Sequence, residues 1–385
     1  MLTSLPVGMR HGNTGLESLQ IKGCHSLTFI VKGQLPPSLK RLSILNCEKL
    51  QVLLDDTDDI SPPPSSIMQN VFNSNTSTYV LERLYIDNCP SLTALSLKGQ
   101  LPVSLTHLKI FDCLKLASIA EKFDNNISLR SIHVRECEIL FPCLSLNILN
   151  RLHEITLADY PNLVRFPEGG LPNTSLEIIF FRCEKLRELP EGFHNLSCLQ
   201  LLSINRCPSI RSLHKLTCLT SLHIAGCPDV VSFPEDEMGM MLPTSLIQLS
   251  VEEFPNLKYL SYRGFQDLAS LQTLVIDDCP QLPFFPVGLT SSLLQLHIYD
   301  CPLLKNQCTR DKGREWPKIA NIPYVTFDYK FIYDSKEEED RSKRHLIYMS
   351  TTGLHLRVQP NQMEPSCNLP LYSDHALTKH VKRTT

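Results

Sequence analysis

Apolar residues recur along this chain in a fixed frame. In "LERLYIDNCPSL" the apolar positions are Leu81, Leu84, Ile86, Cys89 and Leu92, with polar residues between them. The spacing is neither the 3.6-residue period of a helix nor a sustained strand alternation. The same frame returns in "LESLQIKGCHSL" from Leu16, "LKRLSILNCEKL" from Leu39, "LTHLKIFDCLKL" from Leu105, "LRSIHVRECEIL" from Leu129 and "LHEITLADYPNL" from Leu152. It continues in "SLEIIFFRCEKL" from Ser175, with Ile178 and Phe180 in the strand slots, and in "LQLLSINRCPSI" from Leu199 and "LTSLHIAGCPDV" from Leu219. "LIQLSVEEFPNL" from Leu246, "LQTLVIDDCPQL" from Leu271 and "LLQLHIYDCPLL" from Leu293 complete twelve units, whose starts lie 20 to 27 residues apart except for one gap of 42.

Each unit predicts one short strand with alternate residues turned inward. A unit of this length cannot bury its own apolar face, so successive units must stack. The fold expected is an α/β solenoid, a horseshoe of about twelve repeats with a concave parallel sheet. Short irregular or helical segments return on the convex side, where prolines, as in "ELPEG" and "SFPED", stop long helices. The repeats span 16–304. Residues 1–15 read as the second half of a repeat, which implies a piece of a longer protein. The acidic, then Pro- and Ser-rich stretch 55–80 fills the long gap as an insertion loop. Residues 305–333, with Trp316, are expected to cap the last unit, and the charged, aperiodic 334–385 to be a disordered tail.

Fifteen cysteines need explaining. Ten share one slot of the frame: Cys24, Cys47, Cys89, Cys113, Cys137, Cys183, Cys207, Cys227, Cys279 and Cys301, with Tyr160 and Phe254 in the same place. A slot that takes Cys, Tyr or Phe demands burial, and a reduced thiol packs as a small hydrophobe with a weak donor. With no C-x-x-C pair and no companion histidine register, a metal site is not expected. His133, His223 and His297 share an outward slot but lie several units apart, and the sequons at Asn75, Asn126, Asn173 and Asn195 read as chance matches.

Composition narrows the function. The formal charge is −3, with 42% hydrophobic and 20% charged residues, which gives no basic footprint for nucleic acid. No apolar run reaches bilayer length, and the first residues lack the plan of a signal peptide, so a cytoplasmic setting is expected. Phosphate-binding glycine motifs, a G-x-S-x-G elbow and an H-E-x-x-H pair are all missing, so neither catalysis nor a cofactor is expected.

The residues just before the cysteine slot form a column on the concave face. From the fourth unit it reads Asp112, Glu136, Asp159, Arg182, Arg206, Gly226, Glu253, Asp278 and Asp300, two acidic triplets around a basic pair. Tyr85, Phe111, Phe181 and Tyr299 are read as exposed aromatics beside it. Charges around aromatic anchors suit a protein partner, and a merely solvated sheet face would show the same charges.

Three features resemble the leucine-rich-repeat region of plant nucleotide-binding disease resistance proteins of the coiled-coil type. They are the continuations "CEKLRELP" and "CPDVVSFP", the "GQLPPSLKRLSILNCEKL" pattern with its two echoes, and the ending "CPLLKNQCTRDKGREWPKIANIPYVTFD". The resemblance implies the recognition half of an intracellular receptor, one that senses a pathogen effector or a guarded host protein and restrains a nucleotide-binding module. The alternatives are an extracellular receptor ectodomain, a ubiquitin-ligase adaptor and a non-functional receptor gene fragment.

Overall fold

In the computed structural model, residues 15–332 are described, less 56–79, 97–100, 120–127, 138–145, 207–212, 235–240 and shorter stretches of one to three residues. Cys207, most of the expected insertion loop, residues 1–14, the tail and three of the four sequons lie outside the described residues.

Among the described residues, fourteen strands form one sheet. Twelve are the predicted rungs, each five residues long: Ser18–Lys22, Arg41–Leu45, Arg83–Asp87, His107–Phe111, Ser131–Arg135, Glu154–Ala158, Ile178–Arg182, Leu201–Asn205, Ser221–Ala225, Gln248–Glu252, Thr273–Asp277 and Gln295–Tyr299. Consecutive rungs pair in parallel and in register, as in Leu84 with Leu108 and Ile86 with Ile110. The second and fourth residues of each rung therefore stack on their equivalents. From the second rung on they are all buried, and with the buried leucines that open and close units among the described residues they make one continuous core. Each buried side chain of this kind contributes about 1.5–3 kcal/mol.

The slot after each rung shows why cysteine suits it. The thiols of Cys47, Cys89, Cys113, Cys137, Cys227 and Cys279 each donate to the carbonyl two residues earlier, at 3.3–3.7 Å. The slot carbonyl then accepts the N–H of the leucine three residues on, closing a tight turn, as from Leu50 to Cys47 and Leu92 to Cys89. Serine would fit the hydrogen bond but not the burial, and alanine the reverse. Cys24, in the first unit, is only partly buried.

The returns include irregular segments and short helices, and also two small parallel sheets. Phe29–Lys32, Val52–Asp55 and Ala94–Ser96 form one, and Ser232–Phe233 with Tyr259–Leu260 the other. At the far end Tyr324–Phe327 pairs in parallel with the twelfth rung, and Lys330–Phe331 turns back antiparallel. Helices Pro302–Gln307 and Trp316–Ile319 cover the core there. Buried Glu315 accepts the Phe285 N–H at 2.9 Å and the Lys318 ammonium at 2.8 Å, tying this segment to the preceding return.

The seventh rung departs from the expected frame. Its inward residues are Ile179 and Phe181, in register with Ile155 and Leu157 below and Leu202 and Ile204 above. Phe181 is thus core, packed 5.2 Å from the Phe166 ring, and not an exposed aromatic; Ile178 and Phe180 take the outward places. The physical reason is length. From Leu176 to Cys183 there are seven steps, where Leu39 to Cys47 has eight, so the residue missing before the cysteine moves the strand by one.

Candidate concave interaction face

The column before the cysteine slot has a backbone explanation. Gly23, Asn46, Asn88, Asp112, Glu136, Asp159, Arg206, Gly226, Glu253, Asp278 and Asp300 all have φ between 44° and 67°. Each marks the left-handed step that turns the chain from rung to slot. Its N–H still reaches the next rung, as Asp112 does to Arg135 at 3.1 Å and Glu253 to Asp277 at 3.0 Å. Only Gly, and more weakly Asn and Asp, adopt this conformation at low cost. Eight of the eleven are of those types, so much of the column's acidity serves the turn. Gly226 is the tightest case, since a Cβ there would lie 2.5 Å from the Arg206 side chain. Arg182 does not belong to this column: it ends the seventh rung, level with Ala158 and Asn205.

The third to seventh rungs carry a cluster in which cations pair with part of the acidic charge. Tyr85 and Phe111 meet edge to face at 5.6 Å, and the Arg135 guanidinium lies over the Phe111 ring at 4.9 Å. Arg135 also binds Asp112 at 3.0 Å, and Tyr85 donates to Asp87 at 2.9 Å. Burial, then the bond to Asp87, pushes the Tyr85 hydroxyl up to about 12. Burial likewise raises Asp87, with Asp112 adding repulsion. Further along, Arg182 pairs with Asp159 at 3.1 Å. His133, expected outside, is buried: its Nδ1 meets the Thr156 hydroxyl at 2.9 Å and its Nε2 lies 3.5 Å from Glu154, both on the next rung. The hydrogen bond from His133 holds Glu154 below the usual carboxylate range.

The ninth to twelfth rungs carry a different cluster. Glu252 accepts the Ser250 hydroxyl at 2.6 Å and lies 3.4 Å from His223. Burial works against its charge, but those partners hold its pKa down. Beside it Asp277 is pushed up to about 6 by burial and then by repulsion from Glu252, Asp300 and Asp278. Among the described residues no cation pairs with Glu253, Asp277, Asp278 or Asp300. Next to these carboxylates Tyr299 stacks on Tyr329 at 4.4 Å, and His297 lies 5.6 Å from the Tyr324 ring.

Of the residues singled out from sequence, the structure gathers Tyr85, Phe111 and Asp112 in the first cluster. Asp278, Tyr299 and Asp300 fall in the second. Arg206, by contrast, pairs with Glu184 at 3.0 Å. Arg135, Asp87, Glu252 and Asp277 belong to the clusters and are missed by the column reading. They occupy the fifth rung position, one residue earlier, and the inward–outward alternation of the frame marks that position as outward too.

No protein-family model matches the chain. A protein of Arabidopsis thaliana named as a disease resistance protein is 30% identical over 365 residues, covering 85% of this chain. The chain spans 22% of that relative's length. Among solved structures, the functional domain of InlJ from Listeria monocytogenes, which includes a cysteine ladder, is 15% identical with a TM-score of 0.31, over 75% of this chain and 71% of that one. The circular leucine-rich-repeat protein CroV588 is 19% identical with a TM-score of 0.32, over 72% and 51%. The plant peptide hormone receptor RGFR1, solved with RGF2, is 13% identical with a TM-score of 0.22, over 74% and 68%.

Proposed function

Since the chain is a leucine-rich-repeat solenoid that resembles, over 85% of its length, a plant disease resistance protein, we propose that it is the recognition module of an intracellular plant immune receptor. Its work is non-enzymatic. It grips a pathogen effector or a guarded host protein on the concave sheet and restrains a nucleotide-binding module elsewhere in the receptor.

The observation that carries this reading is the sheet face of the ninth to twelfth rungs, where Asp277, Asp278 and Asp300, which pair with no cation among the described residues, lie beside stacked Tyr299 and Tyr329. Asp277, raised by burial and then by the carboxylates around it, stands in a cluster that favours a partner bringing Lys or Arg. Aromatic rings at the same place supply apolar contact.

The test is co-precipitation of the chain with a nucleotide-binding module from a related receptor, and with candidate effectors. Retention that falls about tenfold in Asp278→Asn/Asp300→Asn, which keeps the left-handed turns and removes both charges, and survives Arg135→Ala, is expected. Absence of retention at every ionic strength would sink the proposal.

A further inference from the structure

Ten cysteines belong to the slot after the rungs, but Cys198 and Cys218 do not, and both are exposed. They occupy one backbone position on consecutive coils. Each stands in a Leu-x-Cys-Leu turn closed by the second leucine's N–H: Leu199 to Leu196 at 3.3 Å and Leu219 to Leu216 at 3.1 Å. Two residues after Cys218, the Thr220 N–H bonds the Gln200 carbonyl at 2.9 Å, and the rungs run in register from Leu201 and Ser221. The two cysteines are therefore one rung apart, about 4.8 Å at sheet spacing. That lies within the ~4.4–6.8 Å between Cα atoms that a disulfide spans.

Serines at the equivalent position show how a side chain there can be directed. Seven other units hold serine at this position, and in five of them, Ser38, Ser104, Ser175, Ser245 and Ser292, the hydroxyl reaches back. Each of these five donates to a leucine carbonyl of the preceding unit, at 2.7–3.0 Å. For Ser245 that carbonyl is Leu219, the residue next to Cys218. A small side chain at this position can lean down the stack, and that rotamer carries the Cys218 sulfur toward the coil of Cys198.

We propose that Cys198 and Cys218 form a redox site, a dithiol on the flank of the solenoid that a hydroperoxide closes to a disulfide. One thiolate attacks a peroxide oxygen; the O–O bond breaks, a sulfenic acid forms, and the hydroxide or alkoxide that leaves takes up the proton the thiol gave up. The other sulfur then attacks the sulfenyl sulfur, forming the S–S bond as the S–O bond breaks and water departs. Two electrons pass from the sulfurs to the peroxide, and thiol reductants reverse the step. Among the described residues the slot thiols from Cys47 on, buried in the core, stay reduced while the fold holds.

The experiment treats the full chain with hydrogen peroxide, blocks remaining thiols and maps peptides without reduction. The expected product is one intramolecular link between the peptides bearing residues 198 and 218, lost in Cys198→Ser and in Cys218→Ser. Both variants place at these sites the residue that seven other units use, so unchanged circular dichroism is expected. Phenylarsine oxide, which bridges two near thiols, should bind the native chain one to one and neither variant. Recovery of the two cysteines as separately oxidised or separately blocked residues, with no linked peptide, overturns the proposal.

Discussion

The concave face of the third to seventh rungs and that of the ninth to twelfth rest on the same scaffold and differ in how charge is settled. In the first region, Arg135 serves Asp112 and covers Phe111, Arg182 serves Asp159, and His133 serves Glu154. In the second, His223 serves Glu252, but Asp277, Asp278 and Asp300 crowd together and Asp277 rises to about 6. The difference rests largely on the fifth position of each rung, Arg135 in one region and Glu252 and Asp277 in the other. A repeat array can thus keep its core and its turns constant while one outward column pairs part of a stretch's acidic charge or leaves that charge for a partner.

The largest expected effect tests the shared scaffold. Ile110→Asp in the first region and Ile276→Asp in the second each bury an unpaired charge among stacked leucines. Each should cost about 3–5 kcal/mol and lower the thermal midpoint alike. A chain that tolerates one and not the other would show that the regions are not equivalent beneath their faces.

Next comes the balance within the first region. Arg135→Ala removes a half-exposed ion pair and the cover of an aromatic ring, worth about 1 kcal/mol. Urea denaturation should show that Arg135→Ala/Asp112→Ala is less harmful than the sum of the single changes. Strict additivity would mean that the pair is ornamental.

The second region should betray itself in pH dependence. Asp277 has a higher pKa folded than unfolded, so the folded state binds its proton more tightly. Its share of stability is present below about pH 4, the unfolded carboxylate range, and is lost as pH rises through about 6. Asp277→Asn should flatten that slope and stabilise the neutral chain, by no more than about 1 kcal/mol once solvent screening of this partly exposed group is allowed for. Unfolding followed from pH 4 to 7 gives the check; an unchanged slope would place the repulsion elsewhere.

Rung number, sheet and cysteine slot are legible in the sequence because burial, stacking and turn closure all act through one short frame. Phe181 shows where the reading slips. Counting from Ser175 puts it outside, whereas counting from Leu176, the residue that enters the core, puts it inside, and the seven-step distance to Cys183 is the visible signal. The acidic column is half legible. Asp112, Asp159, Asp278 and Asp300 follow from the left-handed turn as much as from any partner. What crowds Asp277 comes from neighbouring rungs, and His133 is buried by Thr156, 23 residues on. No local pattern contains those contacts, since stacking alone creates them.

The smallest effect separates backbone from charge. Glu136 and Glu253 are the glutamates that hold the left-handed step, one in each region, with φ of 51° and 56°. Asparagine accepts that conformation more readily, so Glu136→Asn and Glu253→Asn should each stabilise, by roughly 0.5–1 kcal/mol. The gains should not be equal at low salt. Burial, and then Asp112 and Asp159, hold Glu136 above the usual carboxylate range with Arg135 only partly offsetting them, so removing that charge adds relief on top of the backbone gain. Near 1 M salt, where screening falls to about 3 Å, the difference should fade and the shared backbone term remain. If the two gains stay apart in high salt, backbone fit and not charge distinguishes these turns, and the contrast between the two faces loses its electrostatic basis there.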